Sequence, residues 1–338
     1  MNPTMFRCGA ALVLAAAAAP VLANSTNQSQ TGTPGLMAVA VGGQGTGGFD
    51  QGGGSIFIDP PNSGGFGMFS DGGYQQQVAG GSSVAASYGF SAVQTYSNPP
   101  SSYPYSGSSG ASASFAALHL LATEQGATTV HFPTAAAQAG WNDLLTISAP
   151  GMSGSGVFTF QVGVHGTLAA TEGGRPGFII TPYANHGVLA QDALFTAANP
   201  HPIIGSGSSA GYQTRQWWLP ADGQSVSMTV DETVTFSVPF TFGQTFSLGL
   251  YAIAVAGNGS TGGPTTVVST ASSDFSHTVD WMGISALYAG GTPVTGPFTV
   301  LSASGTDWTV SAVPEPGSAA LLLAGLAVVG LLRGRRRA

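Results

Sequence analysis

The chain has 338 residues and little charge: 6% of its residues are charged, and its net charge is −7. All seven basic residues are arginines, and five of them lie in the two terminal segments, so the body between carries a net charge of −11. This distribution excludes nucleic acid as a partner, because phosphate binding requires clustered Lys or Arg.

Residues 1–23 are predicted to form a signal peptide. Arg7 gives a basic start, "AALVLAAAAAPVLA" gives the apolar core, and Val21, Leu22 and Ala23 are small or apolar residues before the cleavage site. An uncleaved anchor is the alternative, but the apolar run is short for a bilayer span. We therefore expect cleavage after Ala23 and export. The only cysteine, Cys8, lies in this leader, so the mature body has no thiol.

Residues 24–110 are predicted to be a Gly/Ser/Pro-rich, loop-rich segment with short strands. Turn-forming residues dominate "VGGQGTGGFDQGGGS" and "SNPPSSYPYSGSSG", while "SIFI" and "SVAASYGF" are candidate strands. The run from Gly43 to Gly48 has the Gly-x-Gly-x-x-Gly spacing of dinucleotide-binding loops. No hydrophobic helix follows it, which favours a glycine linker.

Residues 111–312 are predicted to form a β-sandwich ectodomain. Apolar residues alternate with polar ones in "GVFTFQVGVHGTL" and "SVSMTVDETVTFSVPFTF", a pattern typical of half-buried antiparallel strands. Two Ala-rich stretches, "SASFAALHLLATEQG" and "TAAAQAGWNDLL", fit either a helix or a strand. The predicted fold is all-β: an antiparallel β-sandwich of jelly-roll type, flanked by an N-terminal signal helix and a C-terminal transmembrane helix.

Two short features are predicted to interrupt or end strands within this region. Asp231 and Glu232 interrupt an alternating run, which indicates a turn or a bulge. Such carboxylates bind calcium in sandwich loops, but a solvated turn is favoured here. Gly243 and Gln244 separate two apolar runs and predict a tight hairpin.

Residues 313–338 combine a proline pair, an apolar run and a basic end. Residues 317–332 carry no charge and are predicted to form a transmembrane helix. As a helix they span roughly 24 Å, short of a hydrocarbon core of about 30 Å. The arginines that follow are expected on the cytoplasmic side.

"VPEPGS", the short Leu/Ala/Gly run and the arginines together resemble the PEP-CTERM sorting signal of exported proteins in Gram-negative bacteria. The resemblance implies handling by an exosortase, a membrane-embedded transpeptidase-like enzyme that recognises the Pro-Glu-Pro triplet. It also implies a host that makes exopolysaccharide and lives in biofilms or flocs. The sorting residues are Pro314, Glu315, Pro316, Arg335, Arg336 and Arg337.

A second resemblance covers residues 111–311. The phrases "AGWNDLLTI", "VPFTFGQTFSLGL", "DFSHTVDWMGI" and "SGTDWTV" are similar to recurring phrases of β-rich ectodomains that carry this tail. These ectodomains are mostly uncharacterised, so this resemblance implies a fold and a location but no activity.

Catalytic and metal sites are not predicted. Residues 207–211 match the Gly-x-Ser-x-Gly elbow with Ser209 as nucleophile, and Asp222 and His277 are conceivable partners. The following "YQTRQWWLP" has the pattern of a strand, whereas an elbow opens a helix. No two histidines have a ligand spacing. We expect His165 to be exposed and His277 to be a core histidine on the face of Val279 and Trp281.

Trp217 and Trp218 are the candidate carbohydrate-binding residues. In a strand, neighbouring side chains point to opposite faces, so one indole would enter the core while the other lies outward or at an edge, beside Tyr212 or Arg215. An exposed indole can stack on a sugar ring. The alternative is that both indoles are packed.

The function predicted from these features is that of a non-enzymatic envelope or extracellular-matrix protein. Its expected partners are the export machinery, an exosortase, the membrane and exopolysaccharide, and no cofactor is expected. It would be anchored transiently and then reach the cell surface or matrix. The alternatives are a carbohydrate-binding module that uses exposed tryptophan and a secreted hydrolase.

Overall fold

A computed structural model describes nine segments of the chain: residues 34–45, 69–79, 82–97, 100–127, 132–171, 173–184, 215–219, 225–258 and 268–311. The predicted signal helix and transmembrane helix lie outside these segments. Within them, no helix is long and apolar enough to cross a membrane.

The described residues form fourteen β-strands in two antiparallel sheets. The strands are β1 Gly35–Gly45, β2 Phe69–Ala79, β3 Ser83–Ser97, β4 Pro100–Ser114, β5 Ala117–Ala127, β6 Phe132–Ser148, β7 Ser155–Thr171, β8 Gly174–Ala184, β9 Arg215–Trp218, β10 Val226–Thr241, β11 Thr245–Asn258, β12 Val268–Ala289, β13 Thr292–Pro293 and β14 Thr299–Ser302. The all-β class with two antiparallel sheets is thus confirmed, while the jelly-roll type stays a prediction.

Sheet 1 has the strand order β2-β1-β6-β11-β8-β9, and β14 also pairs with β6. Sheet 2 has the order β10-β7-β12-β5-β4-β3, and β13 also pairs with β12. From β5 to β8, and again from β10 to β12, each connection carries the chain from one sheet to the other. One hydrophobic cluster contains residues of both sheets, so the sheets pack face to face.

The Gly/Ser/Pro-rich segment contributes strands to both sheets. From this segment, β1 lies between β2 and β6 in sheet 1, and β3 forms an edge of sheet 2. The candidate strand "SVAASYGF" lies in β3, whereas "SIFI" lies outside the described residues. The domain boundary that we placed after residue 110 falls inside β4, Pro100–Ser114.

The two Ala-rich stretches are strands. In β5, Leu118, Leu120 and Ala122 are buried while the intervening residues are half-exposed, which is the period of two that a strand requires. The other stretch forms β6, which pairs with β1 on one side and with β11 on the other.

Asp231 and Glu232 do not form a turn or a bulge, so that prediction was wrong. Both lie inside β10, where they pair in continuous register with His165 and Val164 of β7. Glu232 occupies a position that faces sheet 1, in phase with Val230 and Val234. A carboxylate is tolerated there because β10 is an edge strand and the side chain finds two hydrogen-bond donors across the gap.

Gly243 and Gln244 form a tight turn but not a hairpin. The Gln244 amide donates to the Thr241 carbonyl at 3.1 Å, and Gly243 has a φ of 73°, which favours glycine. The flanking strands, β10 and β11, belong to different sheets. The turn therefore connects the two sheets. The Gly243 amide donates a hydrogen bond to the Ile147 carbonyl at 2.9 Å.

His277 is exposed, and the prediction of a core histidine was wrong. Phe275 and Val279 are both buried. If the alternation continued without interruption, His277 would lie on the same buried face as these two residues. The pairing of β12 with β5 shifts register between Phe275 and Val279, however. This irregularity turns His277 outward. His165 is exposed, as predicted.

The core changes from large to small side chains along the strands. At one end, aromatic rings meet in close contacts, such as Phe160 with Trp281 at 4.5 Å and Phe158 with Phe246 at 5.8 Å. At the other end, alanines line the interior: Ala135, Ala137 and Ala139 of β6, Ala252, Ala254 and Ala256 of β11, and Ala122, Ala170 and Ala271 of sheet 2.

Serine side chains bridge the sheets where the facing residues are small. Ser109 of sheet 2 donates to the Val41 carbonyl of sheet 1 at 2.9 Å, and Ser273 donates to the Gly177 carbonyl at 2.9 Å. A serine can reach the opposite backbone only if the sheets approach more closely than the usual spacing of about 10 Å. The sandwich therefore narrows toward its alanine-lined end.

Glu124 is buried at this end, with 3% of its surface exposed. Its neighbours across the sheet are Gly107 and Ala271, and neither carboxyl oxygen has a hydrogen-bond partner among the described residues. Burial raises the pKa of the Glu124 carboxyl well above its usual range. The protonated form is favoured because an unpaired charge is costly in this environment.

The buried carboxyl predicts a loss of stability toward alkaline pH. The folded chain holds the Glu124 proton to a higher pH than the unfolded chain, so stability is full below the unfolded pKa of about 4.3 and falls as the pH rises above it. We expect Glu124→Gln to raise the unfolding free energy of the full-length chain at pH 8 more than at pH 5. Denaturant titrations at both pH values measure the difference.

Glu232→Gln is the matched control, because the pKa of Glu232 is shifted in the opposite direction from that of Glu124. Hydrogen bonds from Trp217 and then Arg215 lower the pKa of Glu232, so its contribution is present above the unfolded pKa and is lost as the pH falls. A Glu124→Gln effect of equal size at pH 5 and pH 8 would show that burial does not favour the protonated acid.

Candidate functional site

The predicted sorting residues lie outside the described residues, which end at Ser311. These residues are Pro314, Glu315, Pro316, Arg335, Arg336 and Arg337. The structure does describe how the chain just before them is attached to the sandwich. β14 pairs with β6 from Thr299↔Ser148 to Ser302↔Leu145, and residues 303–311 follow it.

A buried carboxylate holds this last segment. Asp143 of β6 is fully buried, and it accepts hydrogen bonds from Ser302 Oγ at 2.6 Å, Ser304 Oγ at 2.6 Å and Trp308 Nε1 at 2.7 Å. It also accepts the backbone amides of Leu144 at 2.8 Å and Ser304 at 3.0 Å. Five donors replace the water that this carboxylate loses on burial. We call Asp143, Ser302, Ser304 and Trp308 the C-terminal clamp.

Two further buried tryptophans, Trp141 and Trp281, pack against Trp308 of the clamp. The Trp308 ring lies 4.3 Å from the Trp141 ring and 5.0 Å from the Trp281 ring, measured between centroids. Trp281 Nε1 also donates to the Trp308 carbonyl at 3.0 Å. Because Trp308 is fully buried, it anchors the C-terminal segment, whose other residues are exposed or half-exposed, in the core.

The clamp joins phrases that are far apart in the sequence. "WND" supplies Trp141 and Asp143, "VDW" supplies Trp281, and "SGTDW" supplies Trp308. Sequence reasoning noted these phrases as a resemblance but did not place them together. The sequence does show tryptophan close to aspartate in all three phrases. A single sequence does not show, however, that the three phrases meet at one site.

Replacing Asp143 by alanine should release the C-terminal segment. The Trp308 indole and two serine hydroxyls would lose a buried acceptor, so we expect the unfolding free energy to fall by more than about 2 kcal/mol. Tryptophan fluorescence should shift to the red, and limited proteolysis should cut first after residue 298.

Asp307→Ala is the matched control, because the exposed Asp307 carboxylate bonds only its neighbour Thr309 among the described residues. Its effect should stay within about 0.5 kcal/mol. Equal effects of the two substitutions would contradict the role of Asp143.

Trp217 is committed to the structure of the sheet edges. Its indole is 8% exposed, lies 5.8 Å from the Phe178 ring and donates from Nε1 to Glu232 at 3.0 Å. Arg215 Nη2 binds the other Glu232 oxygen at 3.2 Å, and its guanidinium lies 5.8 Å from the centroid of the Trp217 ring. These contacts join β9, the edge of sheet 1, to β10, the edge of sheet 2.

Trp218 points the opposite way and is half-buried. Its ring lies over Gly177 of β8, where a Cβ would overlap the indole, so only glycine allows this packing. Trp218 Nε1 donates to Gln216 Oε1 at 3.0 Å. Of the two candidate carbohydrate-binding residues, Trp218 therefore keeps solvent-exposed indole surface. Tyr212, the other predicted neighbour, lies outside the described residues.

The conceivable catalytic triad is not brought together by the described residues. Ser209 and Asp222 lie outside them, and His277 is exposed on β12. In the part of the chain that the structure describes, no three His, Cys, Asp or Glu side chains are grouped so that they could hold a metal ion.

Comparison with known proteins places one motif in the chain. Residues 312–337 match the model of the PEP-CTERM protein-sorting motif, which agrees with the resemblance seen in the sequence. No curated protein matches the chain. The chain thus carries a PEP-CTERM sorting motif directly after the clamped end of an all-β body.

Proposed function

We propose that this chain is an exported, non-enzymatic protein of the envelope or extracellular matrix of a Gram-negative bacterium, associated with exopolysaccharide or biofilm. The observation that carries the proposal is the PEP-CTERM motif at residues 312–337. Such a motif indicates export and handling by a membrane-embedded exosortase. The N-terminal leader with Arg7 is consistent with this route.

The position of the clamp supports a role for the sandwich as delivered cargo. Trp308 is anchored in the core, and only six positions separate it from Pro314. The body is therefore held close to the segment that the exosortase would bind. After cleavage near Pro-Glu-Pro, the clamp would remain within the mature protein.

The composition of the body fits an extracellular location. It contains two arginines, no lysine and no cysteine, so its fold depends on packing and hydrogen bonds rather than on disulfides or metal–thiolate sites. A fold of this kind does not depend on the redox state of its surroundings. We propose that the body serves as a surface or matrix component and has no catalytic activity. We also propose that its two sheets form a sandwich of jelly-roll type.

The sorting proposal is tested by replacing the triplet. We expect the full-length chain, expressed in a host with an active exosortase, to lose its "RGRRRA" end. The chain with Pro314→Ala, Glu315→Ala and Pro316→Ala should keep it. Mass spectrometry of the mature proteins measures the outcome. Pro297→Ala, a proline change in the body, should be processed like the wild type, and an intact wild-type end beside active exosortase would overturn the proposal.

A second candidate function, carbohydrate binding, is favoured by one observation: the half-buried Trp218 at the edge of sheet 1. Its indole is partly accessible and held in a fixed orientation over Gly177. A rigid, partly exposed indole can stack on a pyranose ring at low entropic cost. Trp217 cannot do this, because its indole is buried against Phe178 and bound to Glu232.

Trp218→Ala tests this candidate. Retention on exopolysaccharide from the host should fall by about tenfold, which corresponds to about 1.4 kcal/mol of binding free energy. Leu301→Ala removes another exposed apolar side chain and should leave retention unchanged. Unchanged retention of a folded Trp218→Ala protein would exclude the indole as a sugar platform while leaving the sorting proposal intact.

A further inference from the structure

The outer face of sheet 2 carries a cluster of side chains that differs from the Ser/Thr rows around it. We call it the His165 cluster: His165 and Gly163 of β7, Asp231 and Thr233 of β10, and Met282 of β12. Pairing across the sheet places Asp231 opposite His165 and Thr233 opposite Gly163. Met282 comes from β12, on the other side of β7.

Asp231 fixes the orientation of the His165 ring. The distance from His165 Nδ1 to Asp231 Oδ1 is 2.6 Å, and the carboxylate can only accept, so Nδ1 donates. In the neutral ring, the lone pair is then on Nε2. A histidine that donates one ring nitrogen to a carboxylate and presents the other is the usual arrangement of a histidine that binds a metal.

Gly163 provides the space into which His165 and Met282 lean. The position that a Cβ of Gly163 would occupy lies 3.1 Å from His165 Nε2 and 3.4 Å from Met282 Sδ. An imidazole nitrogen and a thioether sulfur thus converge on one point above the strand. Thr233 Oγ1 donates to Met282 Sδ at 3.7 Å, which helps to hold the thioether in place.

The cluster is accessible from solvent. The His165 side chain is 49% exposed and Met282 is 43% exposed, so an ion can approach without any opening of the sandwich. The pair combines an oriented imidazole with a thioether, two groups that bind soft metal ions.

We propose that His165 Nε2 and Met282 Sδ form a surface site for a soft metal ion, specifically Cu(I), with Asp231 as a positioning residue. Thioether sulfur selects Cu(I), and imidazole binds it well, whereas hard cations require oxygen ligands. Two protein donors leave coordination positions open, so the ion would be exchangeable. This proposal does not depend on the sorting function.

Anaerobic titration of the full-length protein with Cu(I), in competition with a chromophoric Cu(I) chelator, tests the site. Cys8→Ala removes the only thiol of the chain, which would itself bind Cu(I), and this Cys8→Ala chain is the reference for every variant below. We expect one equivalent to bind. His165→Ala and Met282→Leu should each weaken Cu(I) binding by at least tenfold. Asp231→Asn should weaken it by about 10- to 100-fold, because outer-shell partners of metal-binding histidines have effects of this size.

Met152→Leu is the control, because Met152 lies in the turn between β6 and β7 and is 43% exposed, the same fraction as Met282. It should bind Cu(I) like the reference chain. Titration with Ag(I), followed by native mass spectrometry, repeats the measurement with an ion that does not change oxidation state. Melting temperatures of the variants, measured without metal, should stay close to that of the wild type.

Three results would overturn the proposal. One is the absence of a Cu(I) equivalent on the Cys8→Ala reference chain. Another is binding that persists in the His165→Ala, Met282→Leu double variant. The third is binding that falls equally in Met152→Leu, since the ion would then bind elsewhere.

Discussion

The attachment of the C-terminal segment depends on the buried carboxylate of Asp143. β6 is the central strand of sheet 1, with β1 and β14 on one side and β11 on the other. Asp143 accepts five hydrogen bonds, and four of them tie this strand to residues more than 150 positions later in the chain. Trp308 then fills the space between Trp141 and Trp281. A buried acceptor with convergent donors is worth more than a surface pair, because each donor would otherwise lack a partner.

Two acids, Glu124 and Asp143, are buried among the described residues, and they are accommodated in different ways. Asp143 lies at the aromatic end, where loops bring donors to it. Glu124 lies at the alanine-lined end, between Gly107 and Ala271, where the sheets approach closely and the neighbouring side chains are too small and apolar to donate. Its charge is suppressed instead. The narrowing of the core thus explains why Asp143 has hydrogen-bond partners while Glu124 has none and has a raised pKa.

The sequence allowed prediction of the fold class and of individual strands. The alternation in β7 and β10 correctly indicated half-buried strands, because one face of each contacts the core. The same alternation could not show that β11 is buried on both faces or that the turn at Gly243 leads to the other sheet. Sheet membership depends on pairings between distant strands, and a local pattern does not contain that information.

Errors at single residues have equally specific causes. The prediction of a turn or a bulge at Glu232 rested on an interruption of the apolar alternation, but Trp217 and Arg215 of the other sheet supply hydrogen-bond donors to this carboxylate within the strand. His277 was assigned to the core because the register shift in β12 is invisible in the sequence. Of the two tryptophans, alternation correctly separated one buried indole from one nearer the surface. Which was which depended on the partner strand β8.

The burial of Trp308 has a consequence for the order of events during export. A chain that crosses a membrane from its N-terminus delivers Trp308 after nearly all other residues of the sandwich. Until residues 302–308 have emerged, the space between Trp141 and Trp281 has no third ring, and Asp143 lacks four of its five hydrogen-bond donors. The sorting triplet begins only six positions later. The core can therefore be completed outside the membrane only when the triplet is also about to reach the membrane. Both events depend on how much of the chain has been exported.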